Sequence, residues 1–233
     1  MALYALRQGD EEITDGVIHD ALAGNLCRCT GYRPIVEAAH HACGTATVDV
    51  FSGLSPLIPS HKYELDSQKF FAPKNLSQLT EVRASYPNAV MLAGGTDLGL
   101  LVSKDRDPLP TIIHTSNVTE LCTIAETDGY LEFGAAVTYS RALPYIERLY
   151  PSFAILITRI GSRQIRNLGT FGGNIGTASP IGDTLPCLIA LDTTIILYSK
   201  DDTRELPLEE FFLDYRKTDL NSDEIIKSIR IPK

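Results

Sequence analysis

Asn167-Leu168-Gly169-Thr170-Phe171-Gly172-Gly173-Asn174-Ile175-Gly176-Thr177-Ala178-Ser179-Pro180-Ile181-Gly182-Asp183 is the most informative run in this chain of 233 residues. In 17 residues it packs five glycines with Asn, Thr and Ser, too polar and hinge-rich for a buried strand and longer than a turn requires. An extended ligand-binding loop is expected. Glycines let a backbone approach a ligand closely. The Thr170 and Ser179 hydroxyls and the Asn174 carboxamide can bond phosphate or ribitol oxygens, and Asp183 can accept from a ribose or ribityl hydroxyl. A disordered glycine-rich loop is the alternative; Phe171, Ile175 and Ile181 speak against it, because such residues favour burial.

A second glycine loop lies upstream, Leu92-Ala93-Gly94-Gly95-Thr96-Asp97-Leu98-Gly99. Taken alone it reads first as a plain strand-to-helix turn. Its glycines also allow consecutive amides to converge on phosphate oxygens. Neither loop is the G-x-G-x-x-G dinucleotide fingerprint, and no G-x-x-x-x-G-K-[ST] occurs. The residues alone therefore point to a cofactor or nucleotide with a polyphosphate, held by two glycine loops.

Around these loops the texture is that of an α+β or α/β domain. Strands are expected over Ala89–Ala93, Thr111–His114, Leu121–Ala125, Tyr130–Phe133 and Thr194–Tyr198. A helix is expected over Pro73–Tyr86, and Ser140–Arg159 as two helical pieces broken at Pro151. Gly44–Pro59 lacks any period and suits a connector. Before it the chain is helical: Ala2–Gln8, then a helix capped by Thr14 with Val17, Ile18, Ala21 and Leu22 at helical spacing and a stop at Gly24 and Asn25. A third helix has Pro34 in its first position and the stripe Ile35, Val36, Ala38, Ala39 and Ala42. Cys27, Cys29 and Gly31 fall in the tight loop between the last two.

A net charge of -8 and the absence of any Lys/Arg run exclude the footprint of a nucleic-acid binder. No apolar run approaches membrane-spanning length and no signal-peptide pattern opens the chain, so a cytoplasmic protein without a membrane partner is expected. Five cysteines without a secretion signal make a disulfide framework improbable. Cys27 and Cys29, one residue apart, suit two thiolates directed at one metal centre. A zinc site of Cys27, Cys29, His40 and Cys43 fits no common finger spacing, and Cys43 is expected as a small core residue.

The string GSRQIRNLGTFGGNIGTASPIGDTLP, from Gly161 to Pro186, and LAGGTDLG, from Leu92 to Gly99, closely resemble the FAD-binding domain of the molybdenum hydroxylases, most of all those of the xanthine dehydrogenase type. GNLCRCTGYRPI, from Gly24 to Ile35, resembles the helical iron-sulfur domain of the same family. The resemblance implies an α+β protein: a small all-helical iron-sulfur domain remnant followed by an α+β FAD-binding domain of the p-cresol methylhydroxylase / vanillyl-alcohol oxidase type. It implies the end of the helical [2Fe-2S]-binding domain over 1–45, a linker over 46–62 and a C-terminally incomplete FAD-binding domain over 63–233. By the same likeness the cofactor is contacted by Met91, Leu92, Ala93, Gly94, Gly95, Thr96, Asp97 and Leu98, by Ile160 and Gly161, and by Thr170, Gly172, Gly173, Asn174, Thr177 and Asp183, with Ile226 against the flavin. Valine at Gly95 or Gly173 is then expected to weaken FAD binding more than folding, by blocking close backbone approach.

The implied activity is that of an oxidoreductase component, passing electrons from iron-sulfur centres through FAD to NAD and working with a molybdenum-pterin catalytic subunit. The alternatives are a non-catalytic fragment that folds without stable cofactor, or the flavin component of an aldehyde oxidoreductase or carbon monoxide dehydrogenase. Cys27 and Cys29 match two of the four [2Fe-2S] ligands; the other two form a C-x-x-C in the family, and none occurs here. The sequence is therefore expected to be an internal piece, with Met1 an internal methionine and the family's chain continuing beyond Lys233. Alone it is expected not to assemble the cluster, and Arg28 and Arg33 are expected to lower the thiol pKa values.

Overall fold

The computed structural model describes residues 1–44, 62–65, 67–106 and 108–233. The connector expected over Gly44–Pro59 and the linker over 46–62 lie outside the described residues, apart from Gly44 and Lys62. The described residues form two compact units: those up to 44 with Gly161–Gln164, and the remainder.

The first unit is helical. α1 is Ala2–Arg7, α2 Asp15–Leu22 and α3 Tyr32–Cys43. Thr14 caps α2, its hydroxyl accepting from the Val17 amide at 3.3 Å, and Gly24 at φ +84° ends the following turn. α3 starts at Tyr32, behind Gly31 at φ +79°, so Pro34 is the third helical residue instead of the first. It remains in the first turn, where an N–H has no intrahelical acceptor in any case. Leu6, Ile18, Ala21 and Ala39 form the core. Cys43 packs against it and donates to the Leu3 carbonyl at 3.8 Å.

The second unit holds two larger sheets. The first, in order β1-β2-β4-β3, comprises β1 (Lys62–Leu65), β2 (Gln68–Phe71), β3 (Val90–Leu92) and β4 (Thr111–His114), with β2 and β3 parallel to β4. α4 (Leu76–Ser85) packs on it through Leu79, fully buried, which joins Phe71, Ile113 and Leu121 in one core. α4 is capped by Asn75, whose Oδ1 accepts from the Gln78 amide at 2.9 Å. After β3 come a short helix, α5 (Leu98–Leu100), and a wide turn over Leu101–Asp105. Leu121 lies in a 3-10 turn, Thr119–Cys122, not in the strand expected over Leu121–Ala125; the strand is β5 (Ile124–Glu126). The turn is drawn out of register because the Thr119 amide donates to the Lys74 carbonyl and Glu120 accepts from the Leu76 amide.

The second sheet is antiparallel, in order β5-β6-β11-β7-β8, with β6 (Tyr130–Gly134), β7 (Thr194–Tyr198), β8 (Thr203–Pro207) and β11 (Ile225–Pro232). β9 (Phe212–Asp214) and β10 (Lys217–Thr218) form a small hairpin after α11 (Leu208–Phe211). The intervening helices are α6 (Tyr139–Leu149), α7 (Pro151–Thr158), α8 (Arg163–Leu168), α9 (Phe171–Thr177) and α10 (Thr184–Ala190). Their core centres on Phe171, fully buried, stacked on Phe133 at 5.3 Å and met edge-on by Tyr139 at 5.0 Å. Burial of such a ring contributes about 2–3 kcal/mol.

The extended loop expected over Asn167–Asp183 is not extended. It is the end of α8, all of α9 and the turn into α10. Phe171 and Ile175, four apart and both buried, supply one apolar stripe, and Thr170 caps the helix. Gly172 is required by packing: a Cβ there would lie 2.5 Å from that of Ala135. Among the described residues no helix is long and apolar enough to cross a membrane.

Candidate cofactor-binding site

A cavity of about 650 Å³ opens in the second unit, walled by the turn after β3, by α9 and by the start of β11. Its size is that of a small-molecule site. Of the expected contact residues, Met91, Ala93, Gly94, Gly95, Thr96, Asp97, Leu98, Ile160, Thr170, Gly172, Gly173, Asn174, Thr177, Asp183 and Ile226 line it. Leu92 and Gly161 do not. Strand alternation explains the first: Met91 and Ala93 share a face and Leu92 points away, its carbonyl accepting from the Thr115 amide at 2.8 Å and hydroxyl at 3.2 Å. Gly161 groups with the helical unit. Sequence reasoning missed Thr115, Tyr139 and Leu220 in the lining. Only Thr115, at the end of the strand paired with β3, carried a signal that could have found it.

Among the described residues, the turn after β3 leaves five consecutive donors free. The backbone amides of Gly94, Gly95, Thr96, Asp97 and Leu98 find no acceptor among the described residues, while the Gly95 carbonyl accepts from the Gly99 amide at 2.8 Å and fixes the turn. Orphaned amides clustered on a concave wall form an anion-binding nest. The two glycines serve different ends. Gly95 sits at φ +69°, which favours glycine, whereas a Cβ on Gly94 would overlap the Leu168 carbonyl.

α9 behaves in the opposite way. Its first amides are already bonded: Gly172 to the Ala135 carbonyl at 3.0 Å, Gly173 to the Thr170 hydroxyl oxygen at 3.0 Å, Asn174 to the Thr170 carbonyl at 3.0 Å. A Cβ on Gly173 would come within 2.9 Å of that capping oxygen, so valine there strains the cap as well as any ligand contact. What α9 offers the cavity is side chains. Thr170 accepts from Gly173 and keeps its proton to donate. Asn174 accepts from Thr184 through Oδ1 at 2.5 Å, which leaves its N–H₂. Thr177 donates to the Asn174 carbonyl at 2.9 Å, so its oxygen is left as an acceptor.

The third wall is held by ion pairs. β11 carries an extra residue between Ile226 and Ser228, a bulge that re-aims Ile226 to within 3.4 Å of a Cβ placed on Gly176. The turn feeding it is fixed by Arg204 of β8, whose Nε donates to Glu224 Oε1 at 2.6 Å and Nη1 to Asp219 Oδ2 at 2.6 Å; Glu224 Oε2 also accepts from the Asn221 amide at 2.8 Å. Arg204 hydrogen bonding holds the Glu224 carboxyl below its ordinary range. Asp97, Asp183 and Glu224 line the cavity, and among the described residues no Lys or Arg does. Burial pushes the Tyr139 hydroxyl up to about 12, so it stays protonated.

In the first unit, Cys27 and Cys29 bring their sulfurs to 3.3 Å on the loop between α2 and α3. Hydrogen bonding by the Thr30 backbone, then the Thr30 hydroxyl and Cys29, lowers the Cys27 thiol to about 7. The cause is not the expected charge of Arg28 and Arg33. Among the described residues no group of three or more His, Cys, Asp or Glu is placed to hold a metal ion. Two sulfurs this close can face one metal centre.

Residues 63–233 match a family described as the FAD binding domain in molybdopterin dehydrogenase, and residues 1–40 one described as a [2Fe-2S] binding domain. Over its whole length the chain is 29% identical to the xanthine dehydrogenase of Emericella nidulans and 29% identical to aldehyde oxidase 1 of Bos taurus, and it spans 22% of each of those proteins. Among solved structures it is similar to quinoline 2-oxidoreductase from Pseudomonas putida 86, with 26% identity and a TM-score of 0.67 over 73% of this chain and 60% of that one. It is also similar to carbon monoxide dehydrogenase from Hydrogenophaga pseudoflava, with 26% identity and a TM-score of 0.66 over 70% and 58%.

Proposed function

The chain belongs to the FAD-binding domains of molybdopterin dehydrogenases, and from that premise we propose that it is the iron-sulfur and flavin portion of an oxidoreductase of the xanthine dehydrogenase kind. One observation carries the cofactor assignment: five orphaned amides from Gly94 to Leu98 lie in the same cavity as the free donors of Thr170 and Asn174. Two separated sets of donors suit a pyrophosphate, and the acceptors Thr177, Asp97 and Asp183 suit hydroxyls of the attached sugars. Ile160 and Ile226 are the apolar side chains for a ring system. When bound, FAD supplies exchange between one-electron and two-electron carriers. The chain's own residues bind, orient and desolvate it, and Cys27 and Cys29 contribute half of the ligands of an iron-sulfur centre.

The partner in this scheme is a molybdenum-pterin subunit that oxidises the substrate, and NAD takes the electrons. Equal identity to a xanthine dehydrogenase and an aldehyde oxidase supports a purine or an aldehyde as the substrate class, with a carbon monoxide dehydrogenase as the alternative. A cytoplasmic setting agrees with five free cysteines and a nicotinamide acceptor. The test is to incubate the purified chain with equal FAD and FMN, remove unbound flavin, denature and identify what is released. One FAD per chain is expected; FMN in preference, or no flavin, would overturn the assignment.

A further inference from the structure

Beneath the cavity lies a short relay of buried hydroxyls. Thr184, the first residue of α10, is fully buried and does not itself line the cavity, yet its hydroxyl donates to Asn174 Oδ1 at 2.5 Å. The Thr184 hydroxyl oxygen lies 3.4 Å from the Tyr139 hydroxyl. Threonine has one proton and Asn174 receives it, so the phenol is the donor to Thr184. Direction is therefore fixed along the chain: Tyr139 to Thr184, Thr184 to the Asn174 carbonyl oxygen. A carboxamide held by its oxygen must present its N–H₂ on the opposite edge, and Asn174 Nδ2 has no partner among the described residues. An untethered carboxamide could turn over and offer the oxygen instead, which would repel a phosphate.

We infer that Thr184 is a positioning residue for the cofactor site: through Asn174 it ensures that α9 presents a donor, and not an acceptor, to an anionic group. This rests on the FAD reading above. Tyr139 completes the device because its phenol stays a donor at every working pH.

The test uses Thr184→Val, which keeps the shape and removes the proton, with Thr184→Ser, Asn174→Ala and the double variant Thr184→Val/Asn174→Ala. FAD affinity, from quenching of flavin fluorescence, should fall about tenfold in Thr184→Val, the scale of one lost hydrogen bond, and recover in Thr184→Ser. In the Asn174→Ala background the valine should cost nothing further, a result that a merely structural role cannot produce. Equal losses in both backgrounds, or none in either, would overturn the inference. The ligand-free protein gives a second readout. The Asn174 side-chain amide should show sharp 15N-bound proton signals displaced from those of a freely turning carboxamide, and they should broaden or move toward the free positions in Thr184→Val; unchanged signals would contradict the positioning role. If the wild-type chain takes up no FAD, the cofactor assignment fails, while the Asn174 resonances still decide the role of Thr184.

Discussion

At the residue scale the glycines divide by what surrounds them. A Cβ on Gly94 overlaps a backbone carbonyl, Gly95 holds a left-handed conformation, and Gly99 has nothing within 4 Å of where a Cβ would stand. Alanine at Gly94 is therefore expected to cost about 3 kcal/mol by overpacking, at Gly95 about 1 kcal/mol by backbone strain, and at Gly99 within about 0.5 kcal/mol of nothing. Urea unfolding of the three variants measures this directly, and an equal loss at Gly94 and Gly99 would show the close approach to Leu168 to be irrelevant. The sequence shows the glycine doublet as a turn near a ligand. It does not show which glycine answers to packing and which to φ, because Leu168 is remote in the chain.

At the element scale, α9 was illegible for a related reason. Phe171-Gly172-Gly173-Asn174-Ile175-Gly176-Thr177 has poor helix propensity, since glycine costs about 1 kcal/mol per position against alanine. Tertiary packing overrides it: burial of Phe171 and Ile175 and the fit of Gly172 against Ala135 select a helix that intrinsic propensity disfavours. Strands β3, β4 and β7, by contrast, are short, apolar and bounded by turn residues, and were read within a residue of their ends. β8 and β11 were missed because the charges that interrupt them, among them Arg204 and Arg230, pair with Glu224, Glu132 and Glu205 in the fold. That pairing gives a pH prediction. The carboxyl of Glu224 is held below its ordinary range, so its contribution to stability is complete above the unfolded pKa and is lost as the pH falls through the lowered value. Arg204→Met should lower stability by about 2 kcal/mol at pH 7 and should flatten the loss of melting temperature on acidification. A parental slope retained in Arg204→Met would place the acid-labile contribution elsewhere.

At the scale of the whole molecule, an anionic ligand meets a chain of net charge -8 through a cavity with no lysine or arginine among the described residues that line it. Recognition then depends on neutral donors, and salt can only screen repulsion. Raising NaCl from about 50 to 500 mM should leave FAD affinity unchanged or slightly improved; a tenfold weakening in the same titration would mean that a cation touches the phosphates. The order of the two parts and the cavity's glycine turns were legible because long motifs carry them. The division of labour within the cavity was not, since both glycine runs look alike as strings and only the fold shows that, among the described residues, one keeps its amides free while the other's are bonded to Thr170 and Ala135. Amide chemical shifts and hydrogen exchange across the chain, recorded with and without FAD, test this most directly. The amides of Gly94 to Leu98 should shift strongly and gain protection, with those of Gly172 to Asn174 little changed; the reverse pattern would contradict the assignment of the pyrophosphate to the turn after β3.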